Sequence, residues 1–197
     1  MDRTIRPQDA TKSASTASLG YVFNTFWGRG VESEKTKNSL YFKQIEFANG
    51  KKIILSCFTS SPRNELTNPN PLGDMLPPDD VRQMLGFLGE KADSGFEYMN
   101  LLLSTRDEDV RNSDSLEKAQ AISKLLTLKA LQISPKQAYR FDAGSVKGFQ
   151  FGEYSTPSSI SVMLYPDNAF GCSINANESS GINQDDVDLI ISTFRPL

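Results

Sequence analysis

Asn49-Gly50 lies between two strand-like runs, LYFKQIEF at 40–47 and KKIILSCF at 51–58. Asn-Gly in that setting is the strongest short-range signal for a β-hairpin, because a two-residue primed turn needs φ > 0 at both central positions. A second pair, SISVMLY at 159–165 and AFGCSINA at 169–176, is joined through Pro166-Asp167-Asn168, residue types that favour turns. Tyr139, Phe141, Phe149 and Phe151 read as strand residues broken by a turn at Asp142-Ala143-Gly144. A chain with these signals is committed to antiparallel strands.

Between the hairpins the period becomes helical. Pro77-Pro78-Asp79-Asp80 marks a helix start, and Val81, Met84, Leu85 and Leu88 form its apolar stripe. A second segment runs from Phe96 to about Arg106, with a strand through Leu101-Leu102-Leu103 as the alternative. A third starts at Asp114-Ser115. Leu116, Ala119, Ile122, Leu126, Ala130 and Ile133 share its main face, and Ala121, Leu125 and Leu128 lie roughly opposite, as expected of a helix wedged between two surfaces. Asn183-Gln184-Asp185-Asp186 reads as the capped start of a last helix. Its stripe is Val187, Ile190, Ile191 and Phe194, and Arg195-Pro196 ends it. The order strands, helices, strands, helix predicts an α+β fold, an antiparallel sheet with helices packed on it.

Two segments lack a period. Residues 1–20, rich in Ser, Thr and Ala, read as a flexible arm preceding one α+β domain over 21–197. Residues 59–78 hold five prolines and read as a long loop. Tyr21, Phe23, Phe26 and Trp27 form either a core-docking strand or an aromatic anchor for a partner, and the docking strand is expected.

The chain contains no histidine. That removes Ser-His-Asp, Cys-His and His-based zinc chemistry together. Gly-x-Ser-x-Gly, the phosphate-binding loop and Cys-x-x-Cys are also missing, so no catalytic, cofactor or metal residue is assigned and the chain is not expected to be an enzyme. Of the 21 Lys or Arg and 24 Asp or Glu, residues 1–59 hold nine and five, a balance of +4, which leaves twelve and nineteen, −7, in the remainder. An acidic larger part without a basic stripe argues against nucleic acid. No 18-residue apolar run exists, so no membrane span is expected.

Cys57 and Cys172 both sit in apolar strand-like runs. They are expected as buried small hydrophobes; a disulfide between neighbouring strands is the alternative, and it would need an oxidising compartment. Met1–Leu19 has no apolar signal core, so the expected location is cytoplasmic as written, and periplasmic if a signal or anchor was removed.

The closing segments KGFQFGE, SISVMLYPDNAFGCSINA and DDVDLIISTFRP resemble the last part of the Mog1/PsbP-like fold, in which antiparallel strands lead to a C-terminal helix. The resemblance implies an α/β/α sandwich and, for function, an assembly or accessory module of a larger complex. The helical middle and proline loop are similar in style to small bacterial toxin-immunity proteins, which implies neutralisation of a cognate toxin or effector by direct binding. That binding role is the favoured expectation. The candidate partner-binding residues are Leu66, Asn68, Asn70, Leu72, Asp74 and Met75 in the loop, with the carboxylate run Asp107, Glu108 and Asp109. Apolar loop residues beside acidic ones suit a basic protein partner.

Overall fold

The structure, a computed structural model, describes residues 1–40, 42–57, 78–89, 95–132, 137–152, 160–166, 171–176 and 181–197. The fold is α+β, with antiparallel sheets and packed helices. The chain divides into two compact units. The sheet unit comprises Met1–Thr59 with Lys136–Leu197, and the helical unit is Ser60–Pro135.

In the sheet unit, seven strands run in the order β3-β4-β5-β9-β8-β7-β6. These are β3 (Val31–Glu32), β4 (Phe42–Glu46), β5 (Lys52–Cys57), β6 (Ala138–Asp142), β7 (Lys147–Phe151), β8 (Ile160–Tyr165) and β9 (Cys172–Ala176). The predicted pairs are present: Ile45 opposes Ile53, and Val162 opposes Ile174. Their alternation sends Ile45, Ile53, Leu55, Val162, Leu164 and Ile174 into one core.

The 47–51 turn differs in type from the expectation. The Gly50 amide donates to the Phe47 carbonyl at 2.9 Å and the Phe47 amide to the Lys51 carbonyl at 3.0 Å, and Gly50, at φ 82°, is the turn's left-handed residue. That is a longer hairpin loop closed by a left-handed glycine, not a two-residue primed turn. The primed geometry occurs instead at Leu19-Gly20, with φ of 50° and 81°.

Those two residues join β1 (Ala14–Ser18) to β2 (Tyr21–Thr25). Residues 1–20 are therefore not the flexible arm expected from composition. Thr16 and Ser18 are buried, and strand pairing organises the segment where side-chain hydrophobicity does not. With β10 (Arg195–Pro196), β1 and β2 form a second sheet, in the order β1-β2-β10.

Helix α5 (Gln184–Thr193) packs on β2 and shares the core of the large sheet. Asn183 caps it: its side chain accepts from the Asp186 amide at 2.9 Å while the Asn183 amide donates to the Asp186 carboxylate at 3.0 Å. Every residue from Asp186 to Ile191 is buried, as a helix covered on both sides requires. Tyr21 and Phe23 stack on Phe194, and Trp27 meets Phe47 edge-on. Trp27, 8% exposed, belongs to the core.

Cys57 and Cys172 are directly opposed on β5 and β9, with Cα atoms 4.1 Å apart, and form a disulfide. The expectation of two separate buried thiols is overturned by register: the two strands are neighbours, and the residues face the same side at the same level.

The helical unit contains α1 (Pro78–Leu88), α2 (Gly95–Ser104), α3 (Asp107–Arg111) and α4 (Leu116–Gln132). Residues 96–104, open between helix and strand in the sequence, are helical, with Tyr98, Met99 and Leu102 buried. Helix α4 packs with the other three. Its buried face is Ala121, Ile122, Leu125 and Leu128, whereas Leu116 is 70% exposed. The expected main stripe is thus only partly the core, because the helix turns its smaller apolar set inward.

Candidate partner-binding surface

Of the expected binding residues, Leu66, Asn68, Asn70, Leu72, Asp74 and Met75, like the 59–78 loop up to Pro77, lie outside the described residues. Asp107, Glu108 and Asp109 are described, and all three are exposed in the first turn of α3. Carboxylates there complement the unpaired amides at a helix start. Asp109 is committed to that role: its Oδ2 accepts from the Arg106 amide at 2.8 Å. Asp107 and Glu108 point their charge to solvent.

The chain just ahead of this turn is anchored to α4. Lys129 of α4 donates from Nζ to the carbonyls of Leu103 and Thr105, both at 2.8 Å. These carbonyls end α2, where a cation is favourable. Burial holds the Lys129 ammonium below its usual range, and the Arg106 charge adds to that. Downstream, Asp114 and Glu117 are also exposed around Leu116. The stretch from 107 to 117 therefore exposes five carboxylates, one arginine, Arg111, and one large apolar side chain, Leu116.

The unit boundary sharpens the charge asymmetry. The helical unit holds twelve Asp or Glu against eight Lys or Arg, a balance of −4; the sheet unit holds twelve against thirteen, +1. The net charge of −3 thus originates in the helical unit.

Among the described residues of the sheet unit, Asp188 and Asp186 each sit in a buried charged network that the sequence did not signal. Asp188, fully buried, accepts from Arg3 Nη2 at 2.5 Å, from the Arg6 amide at 3.0 Å and from Gln184 Nε2 at 2.9 Å. Gln184 also exchanges hydrogen bonds with Gln150. Asp186 lies 4.0 Å from Lys51 Nζ, which sits 5.0 Å over the Trp27 ring and donates to the Gly181 carbonyl. Burial pushes the Asp186 carboxyl up, against the pull of the Asn183 amide and Lys51. In the sequence 185–188 reads as carboxylates capping a helix start, and nothing local announces that Asp188 has a partner 185 residues away.

Among the described residues, Ser18, Glu32 and Lys43 come nearest to a nucleophile with a carboxylate and a lysine. The Ser18 hydroxyl donates to Glu32 Oε1 at 2.6 Å, and Lys43 Nζ is 3.3 Å from Glu32 Oε2 and donates to the Lys37 carbonyl at 2.5 Å. The ammonium is spent on two acceptors and the hydroxyl is buried, so the cluster ties β1 to β3 and β4. Burial pushes the Tyr98 and Tyr165 hydroxyls up to about 12, still further from ionisation near pH 7 than an exposed tyrosine. The cavity beside α5, between Val162, Ile174, Ala176, Val187 and Ile190, has a wholly apolar lining. Among the described residues, no three His, Cys, Asp or Glu are grouped to hold a metal ion, and no helix is long and apolar enough to cross a membrane.

Compared with known proteins, the chain matches no protein-family model and no curated protein.

Proposed function

We propose that the protein is a non-enzymatic binding protein of the inhibitor or immunity type, which neutralises a basic toxin or effector by docking it on the acidic helical unit. The observation that carries this reading is the exposed turn of α3. Asp107 and Glu108 stand in solvent on a scaffold held by Lys129, within a unit of net charge −4. An acidic surface of this kind accelerates encounter with a basic partner and disfavours acidic competitors. Leu116, exposed among the carboxylates, supplies apolar contact that charge alone does not. The loop residues Leu66, Asn68, Asn70, Leu72, Asp74 and Met75 complete the proposed surface on the strength of their composition.

Hydrogen exchange on the complex purified from the protein's own cells tests the reading. Protection at 106–117, and weaker binding on deleting Asn68–Asp74 without unfolding, are the expected results. Protection confined to Tyr21–Trp27 would favour an assembly or accessory module in its place.

A further inference from the structure

Cys57 and Cys172 are the chain's only cysteines, and they are paired. Both are buried, at 1% and 2% exposure, within the core that holds Leu55, Leu164 and Ile174. Cys57 is the last residue of β5, just before the chain leaves for the helical unit at Ser60, and Cys172 is the first residue of β9. The two are 115 residues apart in sequence, so the bridge closes a loop containing the whole helical unit together with β6, β7 and β8. No third thiol is present to resolve the bridge or exchange with it.

We infer that this bridge is a structural lock that assigns the working form of the protein to an oxidising compartment. A glutathione- or thioredoxin-reduced cytosol keeps thiols free, whereas periplasmic and extracellular proteins retain such bonds. The chemistry is thiol–disulfide exchange with an external protein disulfide. The thiolate of one cysteine attacks a sulfur of the oxidant's disulfide, forming a mixed disulfide and releasing one oxidant thiol. The second protein thiolate then attacks the protein sulfur of the mixed disulfide and releases the other oxidant thiol. Two protein thiols have then lost two protons and two electrons, and the oxidant's disulfide has become a dithiol.

Each attack needs an accessible sulfur in line with the bond it breaks. In the closed sheet both sulfurs lie inside the core, so exchange is confined to the folding chain. Reversal requires the β5–β9 ladder to open. The bridge therefore acts once, during folding, and does not switch in the native state.

Two measurements test this. Cells making the protein from its own gene are quenched in acid, and the chain is labelled in denaturant with a maleimide-polyethylene glycol, with and without prior reduction. The expected result is no gel shift without reduction and a two-label shift after it; two labels without reduction would overturn the compartment assignment. The purified protein is then held in millimolar dithiothreitol. Retention of the bridge without urea, and its loss in urea, is expected; equally fast reduction in both would overturn the buried lock. Neither readout involves a partner, so either can fail while the acidic docking surface stands, and the reverse also holds.

Discussion

The Arg3 guanidinium rests on the Asp188 carboxylate with Nη2 2.5 Å from Oδ1, both side chains essentially excluded from solvent at 3% and 0% exposure. The pair joins the start of the chain to the middle of α5. Met1 and Arg3 also bond the backbone of Arg140 at the outer strand β6, at 2.7 and 2.8 Å, and Arg3 lies 5.7 Å over the Phe141 ring. Residues 1–3 thus pair with Ala138 and Arg140 on one outer strand of the large sheet, where unpaired strand groups invite aggregation.

Removing one partner of a buried ion pair strands the other charge in the core, at a cost of roughly 3–5 kcal/mol. Asp188→Ala is expected to lower the urea midpoint accordingly, and deletion of residues 1–6 to do the same. An unchanged midpoint in the deletion would show that the segment is not integral to the fold.

The disulfide closes a long loop, and its loss is expected to cost about 2–5 kcal/mol. Cys57→Ala with Cys172→Ala should therefore melt on the order of 10 °C lower in calorimetry, since each kcal/mol moves a domain of this size by about 2–4 °C. Equal melting temperatures would mean that the core alone holds β5 to β9.

Burial disfavours the charge of Asp186 and raises its carboxyl from its ordinary value. Between the unfolded and folded pKa values the native state binds more protons than the unfolded chain, so this group's contribution to stability declines as pH rises through that window. Asp186→Asn abolishes the titration. The melting-temperature difference, variant minus wild type, is expected to grow in the variant's favour from pH 3 to pH 7. A difference that shrinks over that range would contradict the burial argument.

Much of the fold was legible where the determining contacts are local. The hairpins at 42–57, 138–151 and 160–176 follow from alternation and turn chemistry, and the start of α5 from Asn183 and Asp186. What escaped depends on distant residues. Arg3 meets Asp188, and Cys57 meets Cys172, only after the sheet order brings β9 beside β5 and the chain start beside β6. β1 looked like an arm because Ala14–Ser18 is small and polar, yet it pairs through its backbone along its whole length. On α4 both faces carry apolar residues, so periodicity alone did not choose the inward one. Of the proposed surface, the charge at 107–109 was plain in the sequence, but the tie of Lys129 to the carbonyls just ahead of it was not.

That tie is testable. Lys129→Ala leaves the carbonyls of Leu103 and Thr105 without their charged donor, a loss of about 1.5–3 kcal/mol. Amide exchange at 105–109 should quicken. If only residues elsewhere in α4 respond, Lys129 does not anchor the acidic turn.

Charge reversal in the α3 turn tests the proposed capture of a basic partner most directly. Wild type and an Asp107→Lys, Glu108→Lys double variant, which leaves the Asp109 cap in place, are tagged and used in parallel for affinity capture from the protein's own cells, read by mass spectrometry. One stoichiometric basic partner is expected, which wild type retains at low salt and releases as salt rises, and which the variant fails to hold. The same partners on both baits, or several subunits of one larger assembly, would contradict it.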